Sequence, residues 1–116
     1  MSSSSDIKYL TDLSISETSD FKYIEIKAQC PGLTMWRELT GAVKVEAKFE
    51  DNSFDVKVNY NSNKYAFEAN GKPLFKPIMK NKCSYKVREN RIEISLRKEE
   101  PVTWRAGGDA VQILAE

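Results

Sequence analysis

The clearest pattern in the chain is the alternation of apolar and polar residues over Arg91–Arg97. A period of two is typical of a strand that lays one face on a core and the other in solvent. The alternate apolar positions are Ile92, Ile94 and Leu96. Pro101 cannot donate to a ladder and is predicted to close this stretch. Three residues later, Trp104 is placed to fold back over the open end of a core.

Six further stretches are predicted to form short strands. They are residues 9–16, 21–29, 43–50, 54–60, 64–69 and 85–87. Turns rich in Asn, Asp, Ser and Gly separate them, no long helix is predicted, and no repeat is present. The pattern predicts an all-β fold, a seven-stranded antiparallel β-sandwich.

The second predicted strand has two possible phases. The more apolar face is formed by Ile24, Ile26 and Ala28. Choosing it turns Phe21 and Tyr23 outward, into solvent or onto a partner. In the segment that follows, residues 34–41 are predicted to form one helical turn or a structured loop. Its Trp36 is read as a plug over the core edge, with a binding anchor as the alternative.

Length and composition limit the function classes. The 116 residues fit one domain, which we place at 7–105, with a disordered tail at 1–6 and a flexible tail or linker at 106–116. A net charge of +1 does not indicate nucleic acid or an anionic membrane as a partner. No apolar run approaches the ~20 residues of a membrane span. Two cysteines and no export signal favour the cytoplasm, with the nucleus as a second compartment, and reduced, unbridged thiols.

Catalytic signals are weak. The chain has no histidine, the commonest general base and metal ligand. Residues 83–88 hold a Cys and an Arg, but with four residues between them rather than the five of a cysteine phosphatase loop. Cys30 and Cys83 alone do not make a zinc site, and Glu99 with Glu100 is typical of a solvated strand end. We therefore expect no enzyme activity, cofactor or metal.

The pattern from Arg91 to Lys98, followed by Trp104, resembles the last strand of the CS domain. Similar motifs precede it in the same order at residues 82–87, 74–78 and 53–55. The resemblance covers roughly residues 9–104 and lies nearest the calcyclin-binding protein and SGT-type branches. It implies the small-heat-shock-like chaperone sandwich and a role as a co-chaperone or adaptor.

The resemblance also implies a binding surface. In SGT-type domains, a basic and an acidic residue of the last strand meet heat-shock protein 90, and this pair falls on Arg91 and Glu93. Two aromatic positions of the same family surface fall on Ser16 and Lys27, neither of which is aromatic. Phe21 and Tyr23 are expected to supply the apolar contact instead.

The sequence thus predicts a non-enzymatic, monomeric protein-interaction domain. The expected partners are heat-shock protein 90 or ubiquitin-ligase scaffold components, as in calcyclin-binding proteins. Two alternatives remain open: a NudC-type co-chaperone, and a holdase of the small-heat-shock type. The holdase alternative draws on residues 111–114, which slightly resemble the Ile-x-Ile plug of that class, and a large solution mass would favour it.

Overall fold

The computed structural model describes residues 8–10, 12–34, 41, 43–60, 63–67, 72–105 and 110–114. The described residues contain one 3₁₀ turn, Lys80–Lys82, and eight strands. The strands are β1 Lys8–Tyr9, β2 Leu13–Glu17, β3 Tyr23–Gln29, β4 Lys44–Glu50, β5 Ser53–Tyr60, β6 Asn63–Ala66, β7 Ser84–Arg88 and β8 Arg91–Arg97. The predicted disordered tail and the predicted helical turn with Trp36 lie almost wholly outside the described residues.

Two four-stranded sheets make the architecture, with strand orders β1-β6-β5-β4 and β2-β3-β8-β7. Every pairing is antiparallel except that of the two-residue β1 with β6. The predicted all-β sandwich is confirmed. Its seven strands become eight segments because the predicted strand 9–16 crosses between the sheets. The Leu10 amide bonds Ala66 in one sheet (2.8 Å), and the Asp12 carbonyl accepts from Gln29 in the other (3.1 Å).

The core lies between the sheets, and β8 runs through the middle of one of them. Its alternation is confirmed, because Ile92, Ile94 and Leu96 are all buried. On β3, the neighbouring strand of the same sheet, Ile24 and Ile26 lie beside Leu96 and Ile94. Full burial of one such side chain stabilises the fold by about 1.5–3 kcal/mol.

The predicted phase of β3 is correct for Ile24, Ile26 and Ala28, which are buried. Phe21, however, does not belong to the strand. Strand β3 begins only at Tyr23, and Phe21 lies in the preceding hairpin turn with φ at 59°. Its amide donates to the Thr18 carbonyl at 2.9 Å, which holds the turn closed. Phe21 is 43% exposed but does not project from the strand as predicted.

Strand β4 illustrates the difference between an edge strand and a central one. The predicted inward residues Val45, Ala47 and Phe49 do point toward the core, yet they are only half-buried. On β5, which has neighbours on both sides, Val56 and Val58 are fully buried.

Trp104 closes one end of the sandwich as predicted. It is fully buried, and its ring meets Phe75 edge-on at a centroid distance of 6.2 Å. The structure differs from the expected flexible tail at residues 110–114. There the Gln112 amide donates to the Trp104 carbonyl (2.9 Å), the Phe75 amide donates to Ile113 (2.7 Å), and Ile113 is buried. The physical reason is that Ile113 fills the gap beside Phe75, which costs less than leaving both apolar groups in water.

Candidate partner-binding surface

The outer face of the β2-β3-β8-β7 sheet carries most of the predicted binding residues. Alternation along each strand turns every second side chain outward, and the register sets these side chains in rows across the sheet. We call this surface the charged sheet face. Its residues are Ser14, Ser16, Tyr23, Glu25, Lys27, Gln29, Ser84, Lys86, Arg88, Arg91, Glu93, Ser95 and Arg97.

Glu93 stands at the centre of the charged sheet face. The register places Lys27 of β3 directly on one side of it and Lys86 of β7 on the other. Arg91 donates from Nε to Glu93 Oε2 at 2.8 Å, and Arg88 Nε lies 3.7 Å from Oε1. One carboxylate is therefore surrounded by four cations.

The cations change the acidity of Glu93. The hydrogen bond from Arg91 lowers the pKa of the Glu93 carboxyl, and the charges of Arg91, Arg88 and Lys27 lower it further. Partial burial opposes the shift without reversing it. Glu93 therefore stays ionised at neutral pH, although only 25% of its side chain is exposed.

The next row contains three serines and one glutamate. Ser16, Glu25, Ser95 and Ser84 lie side by side across β2, β3, β8 and β7. Since serines fill little space, a depression of about 160 Å³ opens here, with Lys27, Lys86 and Glu93 also in its lining. A partner's side chain can approach the sheet backbone more closely here than elsewhere on the face.

The third row ends the face with an aromatic residue. Tyr23 pairs with Arg97, whose guanidinium carbon lies 5.0 Å from the centre of the tyrosine ring. A cation held over an aromatic face is a favourable contact and fixes both side chains. Tyr23 is half-buried as a result, and its ring is a supported apolar contact point rather than a free one.

The charged sheet face is basic. Five cations and two carboxylates give it a formal charge of +3, whereas the whole chain carries +1. On the opposite sheet, the outward positions of β4, β5 and β6 carry four lysines and three carboxylates and give +1. The excess of positive charge is therefore concentrated on one side of the molecule.

The structure brings together five of the six predicted binding residues. Arg91, Glu93 and Lys27 share the central cluster, Ser16 lies in the next row, and Tyr23 lies in the row after that. The sixth, Phe21, lies beyond the end of β3, with its ring 5.6 Å from Lys98 Nζ. Arg91 and Glu93 point the same way, as predicted, but they bind each other, so neither is a free charge.

A second charged cluster, which the sequence analysis does not predict, lies inside the fold. Lys98 and Glu17 form an ion pair with side chains 0% and 2% exposed. Lys98 Nζ also donates to the Val102 carbonyl at 2.7 Å. Glu17 accepts from the Thr103 hydroxyl (2.8 Å) and from the Trp104 amide (2.9 Å).

Burial raises the pKa of Glu17, but its hydrogen bonds from Lys98, Trp104 and Thr103 outweigh burial, and the net pKa is lowered. The pair ties the end of β2 to the segment that carries Trp104, so its role is to hold the fold. The sequence does contain a signal. Lys98 continues the inward parity of residues 92, 94 and 96, and Glu17 continues that of Leu13 and Ile15.

Within the described ranges, no group of three or more His, Cys, Asp or Glu residues could hold a metal ion, and no helix is long and apolar enough to cross a membrane. Both cysteines are free. Burial raises the pKa of the Cys30 thiol to about 11, so its reactive thiolate is scarce at neutral pH.

Comparison with known proteins gives one result that defines the family. A search of curated proteins finds no match to the chain. The family model of the CS domain matches residues 37–98, just over half of the 116. The matched region runs from before β4 to the end of β8 and its buried Lys98. CS domains are protein-interaction modules with a non-enzymatic, chaperone-associated fold. With this match and its two-sheet sandwich, the chain belongs to the CS-domain family.

Proposed function

We propose that this chain is a non-enzymatic protein-interaction domain of a co-chaperone or adaptor, and that it binds through the charged sheet face. The observation that carries the proposal is the concentration of positive charge on that face, +3 against +1 for the whole chain. Complementary potentials steer association and select partners. The partner surface is therefore acidic.

The cluster around Glu93 sets how the face recognises an acidic partner. Arg91 is held by Glu93, so its guanidinium keeps a fixed direction with donors left for a second carboxylate. Lys27 and Lys86 flank the cluster and are exposed. The serine-lined depression also holds the carboxylates of Glu25 and Glu93, so a partner's Asp or Glu side chain meets the two lysines at the rim of the depression rather than at its floor.

The expected partner is an acidic surface of heat-shock protein 90, with an acidic ubiquitin-ligase scaffold component as the alternative within the same class. The CS-domain family and the placement of Arg91 and Glu93 on the last strand support this choice. Tyr23 supplies an apolar contact at the edge of the same face, where Arg97 supports its ring.

The test is a titration of the domain into purified heat-shock protein 90 at low and moderate salt. We expect binding to weaken with salt, because charges near the surface are screened. Replacing both Lys27 and Lys86 by Glu reverses the flanks of the depression and should weaken binding by at least about tenfold, or 1.4 kcal/mol.

The matched control replaces Lys57 and Lys64 by Glu. It makes the same change in net charge on the opposite sheet, where both side chains are exposed. Equal losses in the two variants would mean that net charge alone drives association, and the proposed surface would be wrong. No binding of the native domain to the chaperone would remove heat-shock protein 90 as the partner.

A further inference from the structure

One edge of the molecule has a backbone without a partner strand. Strand β4 (Lys44–Glu50) pairs with β5 on one side and is the last strand of its sheet. Among the residues that the structure describes, no backbone hydrogen bond reaches its other side. Open edges of this kind are templates for pairing with another chain.

The hairpin after β4 fixes which residues offer that open edge. A two-residue turn, Asp51 and Asn52, joins the paired residues Glu50 and Ser53. The closing pair of such a hairpin exchanges hydrogen bonds, and the backbone direction then alternates along the strand. Residues 44, 46, 48 and 50 thus turn their backbone groups toward β5. Residues 45, 47 and 49 turn theirs outward.

The sequence of β4, KVEAKFE, is complementary to itself when read in the opposite direction. Antiparallel pairing of two copies about Ala47 sets Lys44 opposite Glu50 and Glu46 opposite Lys48. On the inner face it sets Val45 opposite Phe49 and Ala47 opposite Ala47. Every charge meets its opposite and every apolar residue meets an apolar residue. The residues with outward backbone groups, 45, 47 and 49, also face one another, as the ladder requires.

We propose that β4 is an interface between two copies of this chain, paired antiparallel about Ala47. The β1-β6-β5-β4 sheet of one copy then continues into the same sheet of the second copy. Val45, Ala47 and Phe49, which are half-buried in one copy, gain cover from the second. Opposite-charge pairs directly across antiparallel strands add to the stability of the pairing.

Charged residues on an edge often serve to prevent pairing, and lysine is the usual choice. A row of lysines alone would repel a second copy. In β4 the signs alternate instead, so the same charges that block a register shift of two residues, by setting like against like, favour the register about Ala47. Lys48 and Glu50 pair with each other within one copy, with Nζ and Oε1 3.9 Å apart, but their side chains are 76% and 47% exposed and can exchange partners.

The two ends of the interface differ from its middle. Lys80 of the 3₁₀ turn lies 3.9 Å from Glu50, where Lys44 of the second copy would arrive. Two lysines then share one carboxylate, so the outer pairs are weaker than the central Glu46–Lys48 pairs. The association is therefore weak and depends on protein concentration, in contrast to the expected monomer.

The pairing leaves the charged sheet face free because that face belongs to the other sheet. A pair of copies presents two basic faces at once. When a partner offers two acidic sites within reach, the second contact becomes intramolecular and the overall affinity rises. This interface does not depend on the identity of the partner and is tested without one.

The experiment measures the mass of the whole chain by sedimentation equilibrium over a range of concentrations. For the native chain, we expect the mean mass to rise from 13.3 kDa toward twice that value. An acidic variant, Lys44→Glu with Lys48→Glu, and a basic variant, Glu46→Lys with Glu50→Lys, should each remain monomeric because like charges then face each other. Mixed in equal amounts, the two variants should associate again.

Two further variants complete the design. The fourfold exchange Lys44→Glu, Glu46→Lys, Lys48→Glu and Glu50→Lys restores every opposite pair across the interface and should associate again. It sets like charges opposite Lys57 and Asp55 of β5, so a lower melting temperature is expected. Lys22→Glu with Lys64→Glu, both exposed and neither beside β4, should not change association. A thermal melt of each variant checks that it is folded. A native chain that stays at 13.3 kDa at every concentration, or a mixture that fails to associate, would overturn the proposal.

Discussion

Two ion pairs stand at opposite ends of β8, and their surroundings give them different roles. Arg91 and Glu93 lie at its start on the charged sheet face, with side chains 42% and 25% exposed. Lys98, one residue past its end, binds Glu17 with both side chains sealed from water. The groups are chemically alike, a cation and a carboxylate in each case. The solvent around them differs.

The difference decides what each pair contributes. Charges near water interact weakly and can exchange partners, so Arg91 and Glu93 contribute little to stability and remain available for recognition. A buried pair has lost its hydration, and removing either member leaves a bare charge in the interior. In the native fold, hydrogen bonds to Val102, Thr103 and Trp104 replace part of the hydration that Lys98 and Glu17 have lost.

The largest expected effect comes from breaking the buried pair. Lys98→Met nearly keeps the length of the side chain but takes away the buried cation of Glu17, which is then left with only the half-exposed Arg105, whose Nε lies 3.8 Å from Glu17 Oε1. We expect the free energy of unfolding to fall by about 3–5 kcal/mol, as for other broken buried pairs. Urea denaturation measures the change.

The double variant Lys98→Met with Glu17→Leu sharpens this result. It removes both charges and should lose less stability than Lys98→Met alone, because no bare charge remains. Some loss will persist, since the Trp104 amide and the Thr103 hydroxyl lose their acceptor. If the double variant is the less stable of the two, the desolvation argument is wrong.

The sequence predicts the exposed end of β8 better than the buried end for a physical reason. The alternation of residues 91–97 assigns each side chain to a face through local geometry alone. The burial of Lys98 depends on Glu17, which lies 81 residues earlier and is brought near by β3. Hydropathy favours solvent for both residues, and only their shared inward parity indicates otherwise.

Other differences have similar causes. Phe21 shifts from strand to turn because Asp20 caps the hairpin locally: its carboxylate accepts from the Thr18 hydroxyl (2.6 Å) and the Lys22 amide (3.0 Å). The segment 110–114 lacks any period in the sequence. Its position depends on the gap beside Phe75, which exists only in the folded molecule.

An effect of intermediate size is expected from acid. The pKa of Glu17 is lower in the folded protein than its ordinary value, so the unfolded chain binds a proton more readily. The stability from this group is fully present above about pH 4.3, the pKa of an unperturbed Glu, and is lost as pH falls through the lowered folded value. Thermal melts of the native chain should show this loss.

Glu17→Gln is the control for the acid effect. It should melt well below the native chain at neutral pH because Lys98 then lacks its counter-charge. The two melting temperatures should converge as the pH falls and Glu17 becomes neutral in the native chain as well. A constant difference at all pH values would show that Glu17 does not titrate in this range. The carboxyl of Glu93 shifts in the same direction, but solvent screens its contribution.

The smallest effect on stability is expected at the exposed pair, where the effect on binding is the informative one. Glu93→Gln should change the free energy of unfolding by only ~0–1 kcal/mol in urea denaturation. It should strengthen association with an acidic partner at low salt, since it releases Arg91 and removes one of the two carboxylates of the face. Arg91→Gln, the matched variant, should weaken association with an equally small change in stability. If Glu93→Gln weakens binding, Glu93 acts either through the direction that it gives Arg91 or through its own contact with a cation of the partner. If instead its unfolding free energy falls by several kcal/mol, then the solvated and the buried pair do not differ in the way that their exposure indicates.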